Sequence, residues 1–173
     1  AAGPDRVAVV DLPEAEWDRV QAVNARGTFL CSRAVARHML ERGGGGRIIN
    51  ISSLAGQQGI ARYGAYCASK FAVIGLTQVM AQELGPAGIT VNAVCPGLVD
   101  TERVSGMAEG LRPSGVSAEA YRQELIDRNA ALTALGRVAQ PEDVARTVAH
   151  LASDEAAYLT GLSVSVSGGA RMG

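Results

Sequence analysis

The stretch N-I-S-S-L-A-G-Q-Q-G-I-A-R-Y-G-A-Y-C-A-S-K, residues 50–70, decides the fold. It opens on the end of Arg47-Ile48-Ile49-Asn50-Ile51, a short apolar run that follows four glycines and reads as a buried strand. From about Gly64 the apolar spacing becomes helical and continues to Leu84, where Gly85-Pro86 closes it. Ile89–Val94 is the next strand, ending at Cys95-Pro96-Gly97. Strand, helix and strand in this order form a parallel crossover unit. In open parallel sheets, ligands bind outside the carboxyl ends of the strands. Ser52-Ser53, the first turn of the helix and Pro96-Gly97 therefore face one crevice.

Within the helix, Tyr66 and Lys70 are four residues apart and share one face. A phenol with an unperturbed pKa of ~10 exchanges protons poorly near neutrality. A neighbouring ammonium favours the phenolate, so the pair can act as a general acid/base with its tuner. The bland alternative is an exposed lysine beside a half-buried tyrosine. Composition bears on the choice: of the 16 basic residues, Lys70 alone is lysine, and the other 15 are arginine. With four tyrosines in the chain, a chance Y-x-x-x-K has odds of roughly 4 in 173. A lone lysine fits a place where the wide, fixed-charge guanidinium of arginine would fail. The Ser53 hydroxyl can donate to a carbonyl oxygen or accept from an alcohol, whereas Ser52 is assigned to capping the turn.

Outward from this unit the α/β pattern continues. Pro13 opens a helix whose first turn carries Glu14 and Glu16. Its apolar spacing extends through Trp17, Val20, Val23, Leu30, Ala34 and Met39, with a bend expected at Gly27. Trp17 and Phe29 read as core or helix-interface residues. Residues 97–115 have no clear period and four glycines, as in an irregular active-site lid. A polar helix follows at about Ser117–Asn129, another begins at Pro141, and Leu162–Val166 alternates as a last strand before Ser167-Gly168-Gly169.

Other classes of function find little support. A formal net charge of -1 over 173 residues gives neither a nucleic-acid footprint nor a polybasic membrane patch. No apolar run approaches the ~18 residues of a membrane span. The three cysteines at 31, 67 and 95 form no C-x-x-C, which disfavours a disulfide framework or a zinc site and leads to the expectation of a reducing cytoplasm and no metal. His38 and His150 read as ordinary helix residues, and no serine has the G-x-S-x-G setting of a hydrolase.

N-I-S-S-L-A-G followed by Y-C-A-S-K resembles the active-site segment of the short-chain dehydrogenase/reductases, and the likeness extends both ways. Val23-Asn24-Ala25-Arg26-Gly27-Thr28-Phe29 is similar to that family's V-N-x-x-G-x-F segment. Asn92-Ala93-Val94-Cys95-Pro96-Gly97 with Thr101 is similar to its strand and P-G-x-x-x-T loop. Gly136-Arg137 through Pro141-Glu142-Asp143-Val144-Ala145 is similar to G-R-x-x-x-P-E-D-V-A. The nearest flavour is that of the 3-oxoacyl-carrier-protein reductases.

The resemblance implies an oxidoreductase moving a hydride between NAD or NADP and a small carbonyl or secondary-alcohol substrate. It implies a tetrad of Asn24, Ser53, Tyr66 and Lys70. Tyr66 would be the general acid/base, Ser53 would hold the substrate oxygen, Lys70 would bind the nicotinamide ribose, and Asn24 would hold a relay water. Pro96, Gly97, Val99 and Thr101 would contact the nicotinamide end. The 14–41 and 64–84 helices would pair across a homodimer or homotetramer.

The family's glycine-rich phosphate turn, T-G-x-x-x-G-x-G, has no counterpart in these residues. Gly43–Gly46 precedes a strand and reads as a plain turn. Ala1-Ala2-Gly3 resembles the tail of the family's N-x-A-G motif, and Ser167 stands where D-G-G is usual. The expectation is a single partial domain over 1–173: the C-terminal part of a doubly wound parallel sheet, with three strands and flanking helices. The alternative function is a catalytically inactive truncated fragment lacking the cofactor-binding half.

Overall fold

The computed structural model describes residues 6–172. Ala1-Ala2-Gly3 lies outside them. Three parallel strands, β1 (Gly46–Ile51), β2 (Ile89–Pro96) and β3 (Ser163–Val166), form one sheet in the order β1-β2-β3. Ile51 lies opposite Val94, and Val166 opposite Pro96, so the three carboxyl ends finish together. β2 is the central strand and is buried from Ile89 to Cys95. Full burial of side chains such as Val91 and Val94 contributes about 1.5–3 kcal/mol each.

Helices α2 (Gly27–Arg42) and α3 (Gly64–Leu84) cover one face of the sheet. The core there packs Ala36, Ile48, Met80, Ala81, Leu84, Ile89 and Val91. A polar chain crosses the same layer. Ser32 Oγ donates to Asn50 Oδ1 at 3.0 Å, Asn50 Nδ2 to Thr77 Oγ1 at 3.0 Å, and Thr77 Oγ1 to the Val73 carbonyl at 2.8 Å. α6 (Pro141–Ala152) lies across the other face and buries Leu151. The Gly43–Gly46 turn is as expected, with Gly43, Gly44 and Gly45 all at positive φ. A Cβ on Gly45 would stand 2.6 Å from the Gly88 carbonyl oxygen, where the turns before β1 and β2 touch.

The first long helix departs from its expected form. Pro13 is the extended residue before α1 (Glu14–Gln21), and the irregularity precedes Gly27 rather than falling on it. Residues 22–26 form a wide π turn, in which the Gly27 N–H reaches back to the Ala22 carbonyl, while Gly27 itself is helical. Its position has a cause in tertiary bonds. Gln21 Nε2 donates to the Ala65 carbonyl at 3.0 Å and Asn24 Nδ2 to Ser69 Oγ at 3.0 Å, so both draw this turn onto α3. Trp17 and Phe29 are each 40% exposed and are not core residues.

The irregular lid expected over 97–115 contains a helix, α4 (Glu102–Leu111). Val104 and Ala108, one turn apart, are its buried stripe. Gly106 and Gly110 face outward, and this masked the period in sequence. α5 (Ala118–Ala130) packs against α4 and begins at Ser117, whose Oγ accepts from the Ala120 N–H at 3.1 Å.

Candidate active site

α3 starts beside the carboxyl ends of β1 and β2, which puts its first two turns over the crevice. Tyr66 and Lys70 lie together there, with Lys70 Nζ 5.8 Å from the Tyr66 ring centre. Lys70 Nζ also donates to the carbonyl of Ile51, the last residue of β1, at 3.0 Å. Burial lowers the pKa of the Lys70 ammonium from its ordinary value, and the charge of Arg103 lowers it further.

Of the two serines, Ser52 does not make the cap expected of it, while Ser53 both caps and stays at the crevice. Ser52, assigned to capping, is buried and donates to the Lys70 carbonyl at 2.8 Å, tying the end of β1 to α3. Ser53 makes the cap: its Oγ accepts from the Ala55 N–H at 3.2 Å in the single 3₁₀ turn Leu54–Gly56. The correction is steric in origin. Ser52 points into the β1–α3 seam, which leaves Ser53, half-buried, at the crevice.

Asn24 joins the group through a residue given no role in the sequence reading. Ser69 Oγ accepts from Asn24 Nδ2 and donates to the Tyr66 carbonyl at 2.7 Å. The signal was present in Y-C-A-S-K, but a serine one position before the lysine falls on the buried side of the helix. Cys95, buried at the end of β2, lies near Ser52 and Lys70, and burial pushes its thiol pKa up.

The loop after β2 is pinned at several points. Pro96 ends β2, and the Gly97 N–H donates to the Val166 carbonyl at 3.0 Å. Gly97 lies against Ser167, where a Cβ would make ordinary van der Waals contact with the Ser167 Cα at 3.4 Å. Val99 forms a parallel bridge with Ala139, and Asp100 pairs with Arg122 of α5. Thr101 is exposed just before α4. A cavity of about 260 Å³ opens between Leu54, Gly97, Leu98, Leu132, Val138 and Ser167. Arg103, in the first turn of α4, also reaches the centre: its guanidinium carbon is 5.9 Å from the Tyr66 ring centre. Sequence reading passed over it because 97–115 was taken as irregular.

Among the described residues no three His, Cys, Asp or Glu side chains gather as a metal site. Nor is any described helix long and apolar enough to cross a membrane.

Comparison with known proteins gives a consistent picture. A family model described as enoyl-(acyl carrier protein) reductase matches residues 1–171. The (3R)-3-hydroxyacyl-CoA dehydrogenase of Rattus norvegicus is 44% identical over 161 residues, which are 93% of this chain and 57% of that protein. Among solved structures, sorbitol-6-phosphate 2-dehydrogenase from Erwinia amylovora superposes with a TM-score of 0.86 at 32% identity, over 100% of this chain and 67% of that one. A 4-hydroxyisoleucine dehydrogenase complexed with NADH gives a TM-score of 0.79 at 30% identity, again over 100% of this chain and 67% of the other. The chain thus spans a little over half the length of the curated relative.

Proposed function

This chain belongs to the short-chain dehydrogenase/reductase family, and on that premise we propose that the protein carrying it is a nicotinamide-dependent oxidoreductase of carbonyl and secondary-alcohol compounds. The observation that carries the reading is the placement of Tyr66 and Lys70 together over the joined ends of β1 and β2, with Ser53 at the same crevice. In reduction, Tyr66 gives its phenol proton to the substrate oxygen; in oxidation it takes the proton from the alcohol. Ser53 Oγ holds that oxygen by a hydrogen bond. The Lys70 ammonium, beside the ring, stabilises negative charge as it develops on the phenol oxygen. Asn24 and Ser69 fix the α3 turn that carries Tyr66, and Asn24 would hold a relay water.

The residues present fit the nicotinamide-ribose end of a cofactor. Lys70 offers ammonium donors for a ribose. Pro96, Gly97, Val99 and Thr101 follow one another in the loop after β2, which the Val99–Ala139 bridge pins. A nicotinamide there, from NAD or NADP, supplies or accepts the hydride. The exposed apolar side chains Leu30, Val35 and Leu40 on α2, with Phe71 and Val79 on α3, support a homodimer or homotetramer.

Tyr66→Phe tests the reading: turnover should fall by ~10²–10⁴ while cofactor affinity stays within a small factor. Normal turnover in that variant overturns it. A second reading is favoured by the missing glycine-rich phosphate turn: these 173 residues keep the catalytic side chains without a means of holding the cofactor. Titration with NADH separates the two.

A further inference from the structure

Arg103 stands out among the arginines of the crevice side. Arg112 pairs with Glu109, Arg122 with Asp100 and Arg137 with Asp143. Arg103 has no carboxylate or hydrogen-bond partner among the described residues; its contact is the Tyr66 ring, at 5.9 Å. Asp100, the acid three residues before it, is already taken by Arg122. Nor does helix stability account for the residue, since a cation in the first turn opposes the helix dipole. Lys70 lies 5.8 Å from the same ring centre, so two cations flank one phenol with no anion between them.

Resting on the oxidoreductase reading, we infer that Arg103 is a specificity residue that receives an anionic oxygen group of the substrate, a carboxylate or phosphate a few bonds from the reacting carbon. The guanidinium fork matches such groups in two parallel hydrogen bonds. Because Arg103 is exposed on α4, it holds its charge in water until substrate arrives. An anion there neutralises the repulsion between Arg103 and Lys70. It also orients the carbonyl toward Tyr66, so acidic oxo compounds are preferred over their neutral esters. The same chemistry could serve a cofactor phosphate, and the two sources give different results below.

Lys70 provides the probe. In the protein carrying this chain, labelled with [13Cε]lysine, the signal that Lys70→Arg removes belongs to Lys70. Acetoacetate and its neutral methyl ester are titrated in the presence of NAD+, which leaves both unreduced. Wild type should favour acetoacetate, and Arg103→Gln should lower the ratio of the two affinities by about 10-fold, the size of a charge-assisted hydrogen bond. Arg103→Lys should restore part of it. Arg103 is exposed, so these variants keep the fold. An unchanged ratio in Arg103→Gln overturns the inference while leaving the carbonyl site standing. A loss of affinity for inorganic pyrophosphate with an unchanged ratio also overturns it, and assigns Arg103 to the cofactor. If neither compound perturbs Lys70, the carbonyl site itself fails, and the inference with it.

Discussion

Gly56 lies so close to Lys70 that a Cβ at position 56 would stand 2.7 Å from the Lys70 carbonyl oxygen. The same oxygen accepts from Ser52 Oγ at 2.8 Å. The glycine of N-I-S-S-L-A-G is therefore what lets the Ser53 turn settle on α3. Gly56→Ala pushes against backbone, which cannot rotate away. It should cost about 2 kcal/mol, as overpacking does, and lower the melting temperature by roughly 4–8 °C. Because the displaced turn carries Ser53, turnover should fall more than substrate affinity. An alanine variant that melts and turns over as wild type does would show that the turn has room to spare.

Lys70 should titrate below 10.5, through burial first and the Arg103 charge second. The folded value is thus below the unfolded one. Between the two, the unfolded chain binds more protons, and the contribution of this group to stability rises with pH across that window. Below it, the half-buried ammonium is a constant cost. The 13Cε signal of Lys70 reads this directly, and Arg103→Gln should move its midpoint upward. A midpoint at or above 10.5, or one that ignores residue 103, would contradict the geometry.

The buried chain Ser32–Asn50–Thr77 ties α2, β1 and α3 together. Asn50→Ala leaves the Ser32 hydroxyl without its acceptor in a layer closed to water. An orphaned buried polar group costs about 2 kcal/mol, equivalent to a fall of roughly 4–8 °C in melting temperature. Unfolding followed by circular dichroism measures it. A variant that melts with wild type would mean that the chain contributes nothing net.

The strands, α3, α5 and α6 were legible because each carries its own punctuation: Gly43–Gly46, Gly85-Pro86, Ser117 and Pro141 all sit at observed boundaries. That Tyr66 and Lys70 share one helix face was legible from their spacing. Missed features depend on partners distant in sequence. The π turn at 22–26 is held by bonds from Gln21 and Asn24 to α3, 44 and 45 residues away. α4 was hidden by its outward glycines, and with it Arg103. That the cap falls to Ser53 and not to Ser52 follows from which way β1 faces α3, which a dipeptide of identical residues cannot signal.

The last expectation concerns the 173 residues expressed alone. They hold no glycine-rich strand-to-helix turn, so no cluster of backbone N–H groups is built to cradle a pyrophosphate. β1 hydrogen-bonds to β2 on one side, and its other edge carries no strand among the described residues. At its end, Ile51 is 47% exposed. An unpaired edge beside exposed apolar side chains invites association. Calorimetric titration of the purified chain should therefore show weak or no NADH and NADPH binding, and the chain should aggregate on concentration. Addition of a polypeptide supplying a T-G-x-x-x-G-x-G turn and the strands that flank it should restore binding. Micromolar binding of either cofactor by the 173 residues alone, with its oxidation by a ketone, would show that the crevice suffices without a phosphate cradle.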